Sequence, residues 1–517
     1  MAKAVQKRGT SPKPKTTTEH GKRKGRGEFK VFGNRSHEIL KNSNRVYIIM
    51  LREFVNRREE IKTLKDLWRK EGLTLALVYG RRRVGKTRLL EEFSRDKNRV
   101  FVIFEDKPRE YNFRLLSKKV SEFIGFNVEV RDFPSLFALL KRLTNERVLV
   151  VLDEFSYLIK KDRGVLSELS RAIEENRDLN ALIVVSGSHV SLLEREFFDY
   201  SSPIYGRSDA NIKVRPLKFK HLYEWFNAST EDLVKIYSVT GGTPKYLEFF
   251  SGRNVEEEIK ANFFNSSAFL FREARALLSE ELRELSTYLA ILEAIARGNT
   301  KVTQIANFCY MKENQVVPYL RVLGELGIVR KVTPLFGKKG IYEIADNYFL
   351  FWSRFVSPYY EEIEGNFTEA AVFDFERNFN TFLGRPFEEI AREFLIEANR
   401  KNLLPFRFTK LGRWWRRGEE IDIVALDEGS KKALFVEVKW SDLTAGKARK
   451  VLRQLEKKAE LVGLEDYEKH YGIIAKRIEG KENLGLAFDL GDFDEVFTKR
   501  LSKTAGSNDS LSIGGES

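Results

Sequence analysis

The sequence predicts an α/β protein of several domains, and three observations support this fold class. Apolar runs rich in valine and leucine recur early in the chain and alternate with helical segments, as in parallel sheets whose strands are buried on both faces. A second set of strand-like runs follows residue 400, after a long and mainly helical stretch. The length of 517 residues suits about three or four domains of ordinary size.

The composition indicates a globular protein with an acidic polymer as partner. Hydrophobic residues make up 42% of the chain, which is ample for real cores. The net charge of +15 favours nucleic acid over a membrane, although solvated basic faces are common. The single cysteine, Cys309, excludes a disulfide framework. The sequence has no signal peptide and no run of about 18 apolar residues, so we expect a cytoplasmic protein.

Both ends of the chain are predicted to be disordered tails. Residues 1–45 begin with a run rich in lysine and arginine, and residues 501–517 are rich in serine and glycine. Contact with nucleic acid and simple solvation are equally good explanations of the basic tail.

Residues 46–215 are predicted to form a nucleotide-binding core around one motif. The apolar run Leu73–Tyr79 leads into G-x-x-x-x-G-K-T, after which a helical pattern resumes. With this spacing, the glycines let backbone N–H groups point at phosphate oxygens, the lysine reaches the β- and γ-phosphates, and the threonine is a Mg²⁺ ligand. We therefore expect ATP and Mg²⁺ here. The loop residues predicted to bind them are Gly80, Arg81, Arg82, Arg83, Val84, Gly85, Lys86, Thr87 and Arg88.

Polar residues follow the next two apolar runs of this core. Val148–Leu152 is followed by Asp153 and Glu154, and ligands bind at the carboxyl ends of strands in an open α/β sheet. Asp153 is expected to hold Mg²⁺ through water and Glu154 to polarise the attacking water, unless both simply cap the next helix. Ser186 and Ser188 end the next run, where they either sense the γ-phosphate or form a plain turn.

The middle of the chain is mainly helical. Arg207, in a Tyr-Gly-Arg sequence, is expected at a phosphate or at a neighbouring subunit of a homo-oligomer, with a plain surface arginine as the alternative. Residues 216–278 are predicted to form a helical lid. Residues 279–360 are predicted to form a winged helix-turn-helix, with its first helix over about 280–297, followed by an aromatic helix. Residues 361–382 are predicted to be an inter-domain connector.

The second helix of the predicted helix-turn-helix carries polar residues that could face a DNA groove or phosphates. In ATPases, a winged helix is also often a structural lid, so both roles stay open. The candidate DNA-facing residues are Lys312, Asn314, Gln315 and Arg321.

Residues 383–500 contain a second candidate site, on a predicted β-hairpin. Two apolar strands are joined by a tight polar turn that follows Leu426. Because side chains alternate along a strand, Glu437 and Lys439 share one face of the sheet. Asp422 on the partner strand can meet them there.

Two acids and a lysine on a surface usually form a salt bridge that contributes little to stability. In strongly apolar strands unpaired charge is costly, and a divalent metal explains the acids better. Asp422, Glu437 and the carbonyl of Val438 are the expected ligands of Mg²⁺ or Mn²⁺. Lys439 would orient or activate the attacking water, and Glu388 from the preceding helix could complete the site. The implied reaction is phosphodiester hydrolysis in DNA or RNA, which suits the basic charge.

With both sets of motifs, the chain resembles the archaeal ATPase family of STAND-type P-loop proteins, relatives of the AAA+ ATPases, over about residues 50–495. Those proteins carry a C-terminal domain similar to the PD-(D/E)XK restriction-like nucleases. The segments that carry the resemblance are Phe54–Glu59, Gly80–Thr87, Val151–Glu154, Ser186–Ser188, Tyr205–Arg207 and Gly241–Pro244 in the ATPase part, and Gly384–Glu388, Glu420–Asp422 and Val436–Trp440 in the nuclease part.

The resemblance implies a P-loop NTPase parallel sheet with a helical lid, a winged helix-turn-helix and a C-terminal restriction-endonuclease-like α/β domain. It also implies that Pro244 lies near the adenine. The first nuclease acid is either Glu388 or Glu389, and we prefer Glu388 because it follows Arg-Pro-Phe.

The leading hypothesis is an ATP-binding and ATP-hydrolysing protein that cleaves nucleic acid, DNA rather than RNA, through a metal-dependent nuclease domain regulated by nucleotide state. The alternative is an ATPase switch whose C-terminal fold binds DNA without cleaving it. A third hypothesis is a protein that binds nucleotide without hydrolysing it.

Overall fold

The computed structural model describes residues 54–144 and 146–498. The predicted tails, residues 1–45 and 501–517, lie outside these residues. Helices and strands are numbered here in chain order.

The first part of the described chain is a five-stranded parallel sheet with helices on both faces, as predicted. The strand order is β2-β3-β4-β1-β5, and each neighbouring pair is parallel. The strands are β1 (Leu73–Tyr79), β2 (Arg99–Ile103), β3 (Val148–Asp153), β4 (Ala181–Gly187) and β5 (Ala210–Lys213). The helices are α1 (Arg58–Trp68), α2 (Lys86–Ser94), α3 (Arg109–Ile124), α4 (Phe133–Leu143), α5 (Phe155–Lys161), α6 (Gly164–Glu175) and α7 (Val190–Phe198).

The register of this sheet brings three strand ends to one edge. Strands β3 and β4 are buried along their whole length, as their valine-rich sequences predict. Val185 on β4 lies opposite Leu152 on β3 and Leu77 on β1. The residues that follow these three strands therefore emerge side by side.

A helical region follows the sheet and leads into a three-helix unit with a β-hairpin. The first helices are α8 (Leu222–Trp225), α9 (Thr230–Thr240), α10 (Pro244–Leu247), α11 (Val255–Phe263) and α12 (Phe269–Glu281). The three-helix unit comprises α13 (Leu285–Ala296), α14 (Val302–Phe308), α15 (Glu313–Glu325) and the antiparallel strands β6 (Val329–Val332) and β7 (Ile341–Ile344). The sequence predicted one helix over 280–297. The chain instead extends at Leu282, whose side chain enters the core, and helix formation stops there.

Two predicted domain boundaries fall inside helices. The aromatic segment forms α16 (Asn347–Phe351), a π-helical turn (Trp352–Val356), α17 (Tyr360–Glu364) and α18 (Glu369–Phe382). The boundary at 278/279 lies within α12, and the boundary at 360/361 lies within α17. The predicted connector, residues 361–382, is mostly α18, which buries Phe375 and Phe379. Both side chains belong to one hydrophobic core that extends from Leu217 to Val496.

The C-terminal part is a mixed five-stranded sheet in the order β12-β11-β10-β9-β8. Strands β8, β9 and β10 are antiparallel, and β10, β11 and β12 are parallel. The predicted hairpin is present, with Val436 opposite Ile423. The strands are β8 (Lys410–Arg416), β9 (Glu419–Asp427), β10 (Lys432–Leu443), β11 (Glu468–Ile478) and β12 (Leu486–Phe488). The helices are α19 (Gly384–Arg400), α20 (Ala445–Glu460) and α21 (Leu490–Thr498).

The helical region and the C-terminal part are joined by buried polar contacts. The carboxylate of Glu393 on α19 accepts hydrogen bonds from the backbone N–H groups of Phe219 and Lys220, each at 3.0 Å. The rings of Phe219 and Phe497 also meet, with their centroids 5.7 Å apart. A segment early in the helical region therefore depends on partners from the end of the described chain.

The hairpin β6–β7 packs on the C-terminal sheet. Between its strands, the backbone N–H of Leu335 donates to the carbonyl of Arg413 on β8 at 2.9 Å. A Cβ atom on Gly412 would lie 2.0 Å from Leu335 Cδ1, so a larger residue there would require the Leu335 side chain to move. Buried Glu343 on β7 pairs with three arginines: Arg330, Arg385 and Arg413. The predicted wing is thus held against its own C-terminal sheet.

Candidate functional site

The predicted phosphate loop lies at the edge where β1, β3 and β4 end. A Cβ atom on Gly80 would lie 2.2 Å from the carbonyl oxygen of Val214, so a side chain cannot be accommodated there. Helix α2 begins at Lys86, whose ammonium donates to the carbonyls of Gly80 at 2.9 Å and Arg81 at 3.3 Å. Burial lowers the pKa of Lys86. A buried cation whose hydrogen bonds go only to loop carbonyls fits the binding of an anion.

Thr87 and Asp153 are direct neighbours, as the predicted Mg²⁺ site requires. The Thr87 hydroxyl donates to Asp153 Oδ2 at 2.7 Å. The other carboxylate oxygen of Asp153 accepts from Ser186 Oγ at 2.6 Å and from the backbone N–H of Glu154 at 2.9 Å. A hydroxyl and a carboxylate side by side at the start of α2 are oxygen donors of the kind that Mg²⁺ prefers.

Glu154 and Ser188 are also brought together. Ser188 donates to Glu154 Oε2 through its hydroxyl at 2.8 Å and its backbone N–H at 3.2 Å. Glu154 has a positive φ of 51°, which is uncommon for a residue with a side chain. The serine predicted as a phosphate sensor thus fixes the carboxylate predicted to polarise water. The sequence did not reveal this contact, since 34 residues separate the two.

The three consecutive arginines of the loop contact acids of the helical region. Arg81 pairs with Asp346, Arg82 with Glu280 at 2.7 Å, and Arg83 with Glu273 at 3.0 Å. Asp346 also caps α16, because its Oδ1 accepts from the backbone N–H of Phe349 at 3.1 Å. We predicted all three arginines as nucleotide-binding residues. In the structure they link the phosphate loop to α12 and α16.

Two further segments predicted near the nucleotide lie against the loop. Arg57, 6% exposed, donates to the carbonyl of Val84 at 2.9 Å. Pro244 Cγ lies 3.9 Å from the Cβ position of Gly85, so the Gly-Gly-Thr-Pro segment borders the loop. The role of Pro244 beside adenine stays a prediction.

Two other predicted nucleotide-binding residues contact neighbouring acids. Arg88 lies 3.9 Å from Glu91 on its own helix, and Arg207 pairs with Glu174 on α6. Neither contact involves the phosphate loop.

The C-terminal site lies on one face of the hairpin β9–β10. The backbone N–H of Val438 donates to Asp422 Oδ2 at 2.8 Å. Lys439 Nζ lies 2.9 Å from Glu437 Oε1 and 3.8 Å from Asp422 Oδ2. The structure thus assembles the predicted acids and lysine. It adds Lys458 from α20, 3.3 Å from Glu437 Oε1, which the sequence did not suggest because no local pattern relates α20 to this strand.

The electrostatics of this site are unusual. Burial, together with the nearby Glu437 carboxylate, raises the pKa of Asp422 to about 6. Burial also raises the pKa of Glu388 to about 7. Burial opposes ionisation of Lys439, yet the carboxylates of Glu437 and Asp422 raise the pKa of its ammonium. Titration near neutral pH is typical of functional carboxylates.

The two adjacent glutamates of α19 have different partners. Glu388 lies 3.5 Å from Arg413 and is close enough to Asp422 for the two charges to interact. Glu389 pairs with Arg330 on β6 instead. Of the two, Glu388 is the one that faces the candidate site.

The oxygen atoms of this site fit a divalent metal in part. Among the described residues, buried Glu437 Oε2 has no hydrogen-bond partner, which leaves an oxygen free to bind a cation. Within residues 54–144 and 146–498, no group of three or more His, Cys, Asp or Glu side chains is arranged to hold a metal. A metal here would therefore use Asp422, Glu437 and backbone or water oxygens, with Glu388 outside the immediate set.

Comparison with known proteins identifies the family. A model described as "ATPase domain predominantly from Archaea" matches residues 54–250, and one described as "Archaea bacterial proteins of unknown function" matches residues 352–451. An uncharacterized protein of Methanocaldococcus jannaschii is 39% identical over 455 residues, which cover 85% of this chain and 100% of that protein. The chain belongs to this archaeal ATPase family. Its first part, residues 54–250, is a P-loop ATPase domain, for which ATP is the implied ligand, as predicted.

Other proteins are similar to parts of this archaeal ATPase. An uncharacterized ATP-binding protein of the same organism is 48% identical over 44 residues, covering 8% of this chain and 75% of that protein. The Walker-type ATPase of Pyrococcus abyssi has 22% identity and a TM-score of 0.46, covering 58% of this chain and 96% of that chain. A STAND protein with a tetratricopeptide repeat sensor from Pyrococcus horikoshii has 16% identity and a TM-score of 0.28. The match covers 67% of this chain and 56% of that chain. No helix in the described part of this ATPase is long and apolar enough to cross a membrane.

Proposed function

We propose that this archaeal ATPase is a metal-dependent nuclease whose C-terminal site cleaves phosphodiester bonds in DNA under the control of bound nucleotide. One observation carries the proposal. Asp422 and Glu437 form a buried pair of carboxylates on paired strands, and Glu437 Oε2 has no hydrogen-bond partner in the described structure.

The energy of this arrangement argues against a structural salt bridge. The pKa of Asp422 is raised from its ordinary 3.8 to about 6. That shift of roughly two pKa units means that ionised Asp422 destabilises the metal-free fold by ~3 kcal/mol at neutral pH. A salt bridge that served only stability would shift the pKa in the opposite direction. A bound cation would remove the penalty, as expected of a site built for one.

The residues around the pair have distinct proposed roles. A Mg²⁺ or Mn²⁺ ion held by Asp422, Glu437 and the carbonyl of Val438 would polarise the phosphate and activate water. Lys439 has a raised pKa and therefore stays protonated, so it can hold a phosphate oxygen or orient water but not act as a base. Glu388, with a pKa of about 7, can accept or give a proton near neutral pH.

In the ATPase domain, Thr87 and Asp153 are proposed to hold Mg²⁺, and Glu154, fixed by Ser188, to polarise the attacking water.

The contacts of the loop arginines support regulation of the C-terminal site by nucleotide. Arg81 and Arg83 connect the phosphate loop to Asp346 and Glu273, in a helical region that shares its core with the C-terminal sheet. A nucleotide that changes the loop therefore has a direct route to that sheet.

The test is cleavage of supercoiled plasmid DNA by the full-length protein with Mg²⁺ or Mn²⁺, with and without ATP. We expect metal-dependent nicking that Asp422→Asn and Glu437→Gln each abolish. Glu428→Gln, at an exposed acid in the adjoining hairpin turn, is the matched control and should cleave as the wild type does. Cleavage that persists in Asp422→Asn would show that the activity lies elsewhere.

The second candidate function is an ATPase switch whose C-terminal domain binds DNA without cleaving it. It is favoured by the lack of a third metal-ligating side chain beside Asp422 and Glu437 in the described residues. ATP-dependent DNA binding with no cleavage in any metal would support this candidate and refute the nuclease.

A further inference from the structure

Helix α20 follows strand β10 and carries an unusually basic exposed surface. Its buried residues, Ala448, Leu455 and Ala459, face the sheet. The basic residues of α20 are Lys447, Arg449, Lys450, Arg453, Lys457 and Lys458.

Some of these residues line up on one side of the helix. With about 100° per residue, positions 447, 450, 454 and 458 fall on the same side. The basic stripe is defined here as Lys447, Lys450, Gln454 and Lys458. The two acids of the helix, Glu456 and Glu460, project from other sides, so the basic stripe contains no negative charge.

The basic stripe ends at the candidate nuclease site. Lys458 Nζ lies 3.3 Å from Glu437 Oε1, while Lys447 is in the first turn of the helix. The 11-residue separation corresponds to about 16 Å along the helix axis. One strand of DNA presents a phosphate every ~3.4 Å of axis, so this length spans about five phosphates.

The exposed lysines of the basic stripe differ from the lysines at the start of β10. Within the described residues, Lys447 and Lys450 are exposed and have no ion pair. At the other end of β10, Lys431 pairs with Asp466 at 2.7 Å and Lys432 with Glu468 at 3.1 Å. The unneutralised lysines are therefore those that lead to Glu437.

We propose that the basic stripe of α20 binds the phosphate backbone of duplex DNA and directs the strand to Asp422 and Glu437. The inference deepens the proposed nuclease function and rests on it for the fate of the DNA. Charge complementarity and continuity with the two-carboxylate site favour DNA as the occupant over an anionic membrane or an acidic protein.

The experiment measures binding separately from cleavage. Full-length protein in EDTA is titrated into a fluorescein-labelled 30-base-pair DNA duplex at several salt concentrations, and anisotropy is read. The variant K447Q/K450Q is compared with K431Q/K432Q, which loses the same charge at the other end of β10. Thermal melting checks that both variants fold.

We expect K447Q/K450Q to weaken binding about tenfold and to reduce the slope of log K against log salt by ~2, because each lost phosphate contact removes about 0.9. K431Q/K432Q should match the wild type. Equal weakening in both variants, or none, would overturn the proposal. Tight binding to phosphatidylglycerol vesicles or polyglutamate, lost in K447Q/K450Q while DNA binding is kept, would also overturn it.

The experiments distinguish failure of the stripe proposal from failure of the nuclease proposal. If K447Q/K450Q binds and cleaves plasmid as the wild type does, the stripe proposal fails and the nuclease stands. If K447Q/K450Q loses DNA binding but the wild type cleaves nothing in Mg²⁺ or Mn²⁺, the stripe stands and the nuclease fails.

Discussion

The two candidate sites of this archaeal ATPase differ in how their charged groups are paired. The cations of the phosphate loop already have partners in the described fold: loop carbonyls for Lys86 and acids for Arg81, Arg82 and Arg83. At the C-terminal site, the buried carboxylate oxygen Glu437 Oε2 has no hydrogen-bond partner among the described residues.

This difference determines what a ligand does at each site. If the loop arginines bind nucleotide as predicted, the nucleotide has to compete with their internal partners, and its binding would be coupled to rearrangement of the contacts that hold α12 and α16. A metal at the proposed C-terminal site would compete mainly with Lys439 and Lys458, and it would relieve the repulsion between Asp422 and Glu437. The first site is suited to switching and the second to binding a cation in place.

The largest expected effect is on ATP binding, after substitution of a residue that belongs to only one of the two sites. Lys86→Ala should weaken ATP binding at least about 100-fold, because a buried charged donor is lost. The metal response of the C-terminal site should be unchanged. Titration with a fluorescent ATP analogue measures the ATP affinity, and thermal melting with and without metal measures the metal response. Lys62→Ala, on the exposed face of α1, is the control. Loss of the metal response in Lys86→Ala would mean that the sites are not independent.

Asp422→Asn should raise the thermal stability of the metal-free protein and remove its response to metal. In EDTA at pH 7 it removes a buried charge, so Tm should rise by about 2–4 °C. In Mn²⁺ at about 100 times its Kd the wild type should gain ~2.7 kcal/mol and the variant almost nothing. Differential scanning fluorimetry measures both. A variant that melts lower in EDTA and keeps its Mn²⁺ response would refute the site.

A pH effect is expected on the phosphate-loop side. Burial, with Lys160, Arg82 and Lys86 nearby, lowers the pKa of His189 to about 4. The unfolded chain, with a histidine pKa of about 6.5, then binds more protons between pH 4 and 6.5. The contribution of neutral His189 is full above about pH 6.5 and is lost as pH falls toward 4.

The loss should amount to ~2 kcal/mol at pH 5. His189→Gln should flatten the fall in unfolding free energy between pH 7.5 and pH 5, measured from urea midpoints. An equally steep fall in the variant would show that other groups cause it.

The smallest expected effect is on ATP affinity, after substitution of an acid that pairs with a loop arginine. Glu280→Gln should raise ATP affinity about two- to fivefold, because Arg82 loses a half-exposed competitor of the phosphates. Glu91→Gln, which removes a longer contact with Arg88, should leave affinity unchanged. Isothermal titration calorimetry resolves the difference. Unchanged or weaker binding in Glu280→Gln would argue that the pair does not compete with nucleotide.

The sequence allowed accurate prediction where the determinants are local. The phosphate loop follows from spacing within eight residues, and the meeting of Asp422, Glu437 and Lys439 follows from the alternation of side chains along a hairpin. The valine-rich runs correctly predicted the parallel strands of the first sheet.

Prediction failed where the partner is distant. Nothing near Arg81 indicates Asp346, which is 265 residues away, and nothing near Glu437 indicates Lys458. The position of Leu282 is also decided by the core and not by helix propensity. The sequence favoured Glu388 over Glu389, but it could not show that Glu388 lies beside Arg413 and that Glu389 pairs with Arg330.

The hydrogen bonds from Phe219 and Lys220 to Glu393 have a consequence for biosynthesis. The ATPase sheet is complete at β5, so it can form while the rest of the chain is being made. Phe219, however, finds its acceptor 174 residues later. At about 5–20 residues per second, the ribosome needs roughly 10–35 s to supply it. During that interval the apolar side chains of the helical region lack their packing partners from the C-terminal part, and exposed apolar surface of this kind is prone to aggregation.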